Sequence, residues 1–195
     1  SEAQYAILTE YVRRGGILFL AIPHLSRNTR RNYLNYGVEE LVHGGDVSEL
    51  CGVRILGPGE RLYWVTAPDN SEVLGVKFPR RFGIMAVRRG HIEVVDPAVE
   101  TLLVDDEQAD PILLRRRYGR GMVYFLNSWA YPGAMNSDDG PGARVHSKGL
   151  VGTVYQHIAQ LVRGQVWITD DGQHTGGRCE YISYAYFPQA QTVCL

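Results

Sequence analysis

The stretch that most constrains this chain runs from Glu2 to Pro23. Residues 2 to 14 place Tyr5, Leu8 and Val12 at i, i+3 and i+7, one apolar face of a helix. Gly15-Gly16 then supplies the left-handed stop expected just past a helix end. Ile17-Leu18-Phe19-Leu20-Ala21-Ile22 follows without a polar interruption, and Pro23 ends it. A strand apolar at every position is covered on both faces, as in a parallel sheet under helices. Helix, tight turn and buried strand make half of a doubly wound α/β unit. Such folds normally open with a strand. This chain opens inside a helix and closes inside a strand, Thr192-Val193-Cys194-Leu195. The expectation is a segment of a longer protein, incomplete at its N-terminus, with partner strands supplied by a missing segment or another chain.

Composition narrows the function classes. At 195 residues, 45% hydrophobic and 21% charged, the chain can bury a core and is not of disordered type. A net charge of −1 argues against coating a polyanion, so no nucleic-acid partner is expected. The longest apolar run, Ile17 to Ile22, is far short of the ~20 residues that span a bilayer, so no membrane partner is expected either. No targeting segment is visible. Cys51, Cys179 and Cys194 form no C-x-x-C and no disulfide framework. A reducing cytosol fits and is slightly favoured, with a single disulfide outside the cell as the alternative. The basic residues are almost all Arg, with Lys77 and Lys148 the exceptions. Arg makes planar contacts to carboxylates and phosphates, which suits acidic sugars or a subunit interface, but genome base composition explains the bias more simply.

Further along, 24 to 44 is polar and basic, with a short helix at Asn28 to Leu34. Asp46-Val47-Ser48-Glu49 resembles a capping box, and Gly52 a stop, around one helical turn holding Leu50 and Cys51. From Val53 to Asn127 the pattern changes to short runs, several of them β-branched, predicting a strand-rich and partly antiparallel middle. Gly57-Pro58-Gly59 and Arg89-Gly90 read as turns, and Tyr118-Gly119-Arg120-Gly121 as a hairpin turn. Residues 128 to 145 form a long loop. Leu150, Val151, Val154, Tyr155, Ile158, Leu161 and Val162 then make the best amphipathic helix, with Ser147 as its cap and Gly164 as its stop. Strands return from Gln165 to Leu195.

Motif chemistry is sparse. A strand-to-helix nucleophile elbow needs small residues on both sides of the nucleophile. Val145-His146-Ser147-Lys148-Gly149 lacks the upstream one, and Gly177-Arg178-Cys179 runs into a strand. Cys51 reads as a small buried hydrophobe. The six histidines show no metal spacing, and no phosphate loop occurs, so neither a metal nor another cofactor is expected. Asp105-Asp106-Glu107 with Asp110, and Asn136 to Gly140, read as solvated turns rather than calcium loops. One positional rule remains: ligands of open α/β sheets gather at the carboxyl ends of parallel strands. That selects Pro23-His24 and Trp129-Ala130-Tyr131-Pro132. His24, Trp129 and Tyr131 suit a sugar, through aromatic stacking and polar tips. They suit a packed domain interface equally. A stand-alone hydrolase would use His24 with His43 or Asp46 as acid and base. A carbohydrate-binding module would use Trp129 and Tyr131.

Two segments carry a family resemblance. Tyr11-Val12-Arg13-Arg14-Gly15-Gly16-Ile17-Leu18-Phe19-Leu20, taken with Tyr118-Gly119-Arg120-Gly121-Met122-Val123-Tyr124-Phe125-Leu126-Asn127, resembles the class I glutamine-amidotransferase-like fold. Within it the chain looks like the non-catalytic version found in carbohydrate-active enzymes, such as the trimerisation domain of certain β-galactosidases and the middle domain of lacto-N-biose-type phosphorylases. Leu50-Cys51-Gly52-Val53 is similar to the family's lead into a Gly-Val strand. The likeness covers residues 1 to about 170 loosely. It implies a partial doubly wound parallel sheet over 1–164, with a strand-rich insertion around 53–127. Residues 165–195 resemble the start of a C-terminal β-sandwich. Active members carry a Gly-x-Cys-x-Gly elbow after the first such strand; here Ala21-Ile22-Pro23-His24-Leu25 stands there, with Pro23 in place of the nucleophile. The resemblance therefore implies a catalytically silent accessory domain. Its partners would be the catalytic domain of the same longer protein, further copies in a homo-oligomer, and a carbohydrate.

Overall fold

A computed structural model describes residues 1–27, 36–69, 71–78, 81–129 and 149–161, together with four short strands further on. The expected helix at 28–34, the loop at 130–145, Ser147 and Gly164 lie outside the described residues. Two compact units are present, Ser1–Val154 and Tyr155–Leu195.

Helix α1 (Glu2–Arg13) starts at Ser1, whose Oγ accepts the Gln4 N–H at 3.3 Å. It buries Tyr5, Thr9 and Val12. Its end is the double-glycine stop. Gly15 N–H donates to Val12 O at 2.9 Å and Gly16 N–H to Tyr11 O at 3.0 Å, with Gly15 at φ +117°. These two bonds satisfy carbonyls that the helix leaves open. Strand β1 (Ile17–Ala21) leaves directly from this turn and ends in a 3-10 turn at Ile22–Leu25, with Pro23 buried in it.

The expected capping box at Asp46 is instead a local Asx-type turn: the cap position of the following helical turn is Val47, which makes no side-chain cap bond. Asp46 Oδ1 accepts Ser48 N–H at 3.1 Å and Ser48 Oγ–H at 2.5 Å, opening the single turn α2 (Ser48–Cys51). Gly52, at φ +73°, closes it. Arg116 caps this turn from outside: it donates to the carbonyls of Ser48 and Glu49 and pairs with Asp96 at 2.6 Å. The Tyr5 hydroxyl accepts the Leu50 N–H at 3.2 Å and so ties α1 to α2.

The middle of the chain is antiparallel. It comprises β2 (Val53–Thr66), the small hairpin of β3 (Glu72–Val73) and β4 (Val76–Lys77), then β5 (Phe82–Val94), β6 (Glu100–Asp105), β7 (Pro111–Tyr118) and β8 (Gly121–Leu126). Six strands form one mixed sheet in the order β1-β8-β7-β6-β2-β5. Among the described residues, only β1 and β8 pair in parallel, Ile17 opposite Met122 through Ala21 opposite Leu126. Gly57-Pro58-Gly59 and Arg89-Gly90 are not turns. Gly57 pairs with His91 and Pro58 with Gly90 inside the long β2–β5 ribbon, and the register slips on either side of them. Glycine and proline here mark bulges, where an absent N–H or an unusual φ disturbs a ladder without ending it.

The Tyr118–Gly121 turn is a hairpin as expected, with Gly119 at φ +58°. It packs on the end of α1. Arg120 N–H donates to Arg13 O, and Met122 N–H to Gly16 O, each at 3.1 Å. A Cβ on Gly119 would stand 2.6 Å from Arg13 O, and one on Gly121 would strike the carbonyls of Val12 and Gly16. The two glycine-bearing segments of the sequence therefore form one junction, which sets the β1–β8 register. Tyr5, Val12, Leu20, Leu50, Val53 and Phe125 are among the buried residues packed around it. Helix α3 (Leu150–Leu161) buries Leu150, Val151, Thr153 and Val154.

In the second unit, β9 (Thr169–Asp170) pairs antiparallel with β10 (Gln173–His174), and β11 (Ala185–Phe187) with β12 (Thr192–Cys194).

Gly121→Ala places a methyl against backbone rather than a movable side chain, so it is expected to destabilise the chain by about 2 kcal/mol or more. Urea unfolding followed by circular dichroism checks this; a variant within error of the parent would contradict the junction.

Candidate functional site

The carboxyl ends of β1 and β8 lie side by side, and this is where the sequence places His24 and Trp129. His24 sits on the 3-10 turn that follows β1. The Ala21 N–H donates to its Nδ1 at 2.8 Å, much as the third residue of a capping box reaches back to the cap. That bond needs a lone pair on Nδ1, so the proton of the neutral ring is on Nε2. His24 is exposed as a residue, while its Nδ1 edge faces the backbone. Desolvation by burial pulls its pKa below 6.5, and the Ala21 carbonyl 3.2 Å away partly opposes the shift.

After β8 come Asn127, Ser128 and Trp129, all buried. Asn127 Oδ1 accepts the Gly90 N–H at 2.9 Å, and its Nδ2 donates to Gly90 O at 3.1 Å and Pro111 O at 2.9 Å. The side-chain amide thus behaves like a peptide of a neighbouring strand. Gly90 must lack a Cβ, which would stand 2.5 Å from Ile22 Cδ1 and 2.7 Å from Asn127 Oδ1. Trp129 N–H donates to Arg88 O at 2.8 Å. The Trp129 ring stacks on Tyr36 with centroids 5.0 Å apart and planes 14° apart, and the Tyr36 hydroxyl donates to Trp129 O at 3.1 Å. β5 is the last strand at the far side of the sheet, yet it is bonded to residues just past β8, so the sheet curls back on itself.

No family model matches this chain. No curated protein matches it. Solved structures do.

The fold is similar to that of a beta-galactosidase from Bacillus circulans sp. alkalophilus, at 15% identity and a TM-score of 0.51, over 85% of this chain and 22% of that one. A beta-galactosidase from Rahnella sp. R3 aligns at 16% identity and a TM-score of 0.49, over 80% and 20%. Gan42B, a GH42 beta-galactosidase, aligns at 21% identity and 0.45, over 66% and 17%. The chain thus spans about a fifth of the length of these proteins. At such identities the likeness is one of fold.

The remaining candidates are dispersed in what they touch. His43, at φ +50°, sets its ring edge-on to Tyr5 at 5.3 Å. Asp46 is held by Ser48 and lies 3.3 Å from Arg54, and the Ser48 hydrogen bonds keep its carboxyl below the usual range. Burial pushes the Cys51 thiol up to about 12, which makes it inert as a nucleophile near neutral pH. Tyr131 lies outside the described residues, as do Cys179 and the Asn136 to Gly140 loop. Among the described residues, no three His, Cys, Asp or Glu side chains are placed to hold a metal.

The acidic loop at 105–110 is a turn exposed at Glu107, Gln108 and Ala109, but its first residue is turned inward. Asp105 is buried, and with Asp110 and Gln108 it surrounds the buried Arg89 guanidinium: Asp105 lies 3.6 Å from Nε, and Nη2 reaches Gln108 Oε1 at 2.6 Å and Asp110. β5 turns Arg89 into the protein, and the carboxylates follow to neutralise it. Sequence reasoning missed Asn127, Gly90 and Arg89. The one available signal was an Asn directly after the apolar run Val123 to Leu126.

The unfolded chain holds His24 nearer 6.5 and takes up a proton first, so this residue lowers stability as pH falls through 6.5. Nitrogen-15 correlation spectra should show the Nε2–H tautomer at pH 8 and a midpoint below 6.5. An Nδ1–H tautomer, or a midpoint above that value, would contradict the Ala21 bond.

Proposed function

We propose that this chain is an accessory, non-catalytic domain of a multidomain glycoside hydrolase or phosphorylase. In this reading the mixed sheet is one part of a doubly wound, amidotransferase-like domain, and residues 165–195 begin a β-sandwich. The domain supports self-association and shapes one wall of a sugar pocket whose chemistry lies on another domain. The observation that carries the reading is the fold likeness, at a TM-score of 0.51, to a beta-galactosidase of which this chain spans 22%.

The chemistry of the strand ends supports it. Asn127 uses its amide on Gly90 and Pro111, Trp129 stacks on Tyr36, and His24 uses Nδ1 on Ala21. Pro23 is buried at the turn where an active amidotransferase would carry its nucleophile. These groups hold the fold, and His24 and Tyr131 are the residues proposed to touch a sugar.

Deleting residues 1–195 from the parent enzyme is expected to reduce its assembly size in light scattering and to lower kcat/KM about tenfold or more, the loss of one wall of a pocket. Point variants at exposed positions, Ile7→Glu and Tyr155→Glu, guard against misfolding of the deletion. A parent enzyme with unchanged mass and turnover in all three forms would overturn the proposal.

A further inference from the structure

β2 carries two exposed aromatic residues side by side. Tyr63 and Trp64 are 45% and 43% exposed, between the buried Leu62 and Val65. Strict alternation along a strand would turn one of each adjacent pair inward. The register with β5 slips between Leu62, opposite Val87, and Trp64, opposite Gly83, and this irregularity lets both aromatics stay outside. Bulges of this kind re-aim side chains and are enriched next to functional sites. A half-exposed indole leaves apolar surface in water that a ligand can still cover.

The surroundings of Trp64 give it a floor and a polar rim. Gly83, its cross-strand partner, has no side chain. A Cβ there would stand 3.2 Å from Cζ3 of the indole, so the ring lies against the bare backbone of β5. At its side Arg81 brings its guanidinium carbon to 6.0 Å from the ring centroid and pairs with Asp106 at 2.5 Å. Asp106 is fixed in turn, since its N–H donates to Trp64 O at 3.1 Å. Among the described residues, the Arg81 and Asp106 side chains bond only to each other, through one nitrogen and one oxygen. A guanidinium carries several further N–H donors and a carboxylate several further lone pairs, so the pair keeps both donors and acceptors to offer.

We infer that Trp64, with Arg81 and Asp106, is a surface site for one pyranose unit of a neutral oligosaccharide. The apolar C–H face of the pyranose covers the outer face of the indole, and two neighbouring hydroxyls meet the guanidinium and the carboxylate, one accepting and one donating. Charge selects a neutral ligand. Arg81 and Asp106 cancel, and the exposed Glu107 beside them adds only negative charge, which disfavours a phosphate or a nucleic acid. An exposed platform suits one unit of a longer chain rather than a single sugar in a closed cleft. A saccharide held here stays near the enzyme, which raises its effective concentration at the catalytic pocket. The residues are separate from His24 and Tyr131. The inference rests on the proposal that the chain serves a carbohydrate-active enzyme.

The test titrates the 195-residue chain, labelled with fluorinated tryptophan, with cellotetraose, β-1,4-galactotetraose and maltotetraose, each to about 20 mM. At least one of them should shift the Trp64 resonance saturably and leave that of Trp129 unmoved. In calorimetry, Trp64→Ala should weaken this binding about tenfold or more, and Arg81→Ala and Asp106→Asn about threefold or more each. An unchanged Trp129 resonance in each variant shows that the fold is intact. Silence of Trp64 toward all three saccharides overturns the inference. So does binding that moves Trp129 alone or survives Trp64→Ala. A fall in mass by light scattering in Trp64→Ala, with saccharide binding unaltered, also overturns it, since a second copy would then be the occupant. A parent enzyme that loses assembly and turnover on deletion of residues 1–195, while Trp64 ignores every saccharide, leaves the proposed function standing and removes this inference alone.

Discussion

The Asn127 side chain closes the sheet. Its amide gives Gly90 both hydrogen bonds that a strand would give, and a third goes to Pro111. Without it, the buried peptide groups of Gly90 would lose their partners, and each such loss costs about 1–3 kcal/mol. The clamp works only because residue 90 has no Cβ between Asn127 and Ile22. It joins the parallel pair at one end of the strand order to the antiparallel ribbon at the other. It also occupies the place where α/β sheets ordinarily receive a ligand.

The second constraint is the junction of α1 with the β7–β8 turn. Gly15 ends the helix, Gly16 passes the chain into β1, and Gly119 and Gly121 let the hairpin turn approach the helix carbonyls. This part was legible in the sequence, since a double glycine after an amphipathic stretch and a Tyr-Gly-x-Gly turn each have a local cause. The α2 turn between Asp46 and Gly52 and the buried state of Cys51 were legible for the same reason.

What local pattern could not carry was pairing. Gly57-Pro58-Gly59 and Arg89-Gly90 look like chain reversals until each is placed opposite the other, where they become irregularities of one ribbon. Asp105 looks solvated until β5 turns Arg89 toward it. Trp129 looked suited to a sugar; its neighbour Tyr36, far away in sequence, lies against its ring. His24 stood out by position, and its bond to Ala21 came from the backbone turn that Pro23 starts. The sheet order itself, with a single parallel pair at one edge, has no signature in the composition of any strand.

The Asn127 clamp makes the parallel end and the antiparallel ribbon one cooperative structure. Fluorine-labelled tryptophan measures it directly, because Trp129 reports the first and Trp64, on β2, the second. Their native resonances should vanish with one urea midpoint in the parent chain, and Asn127→Ala should move the Trp129 transition to lower urea, ahead of Trp64. Separate transitions in the parent, or an Asn127→Ala chain that unfolds like the parent, would contradict it.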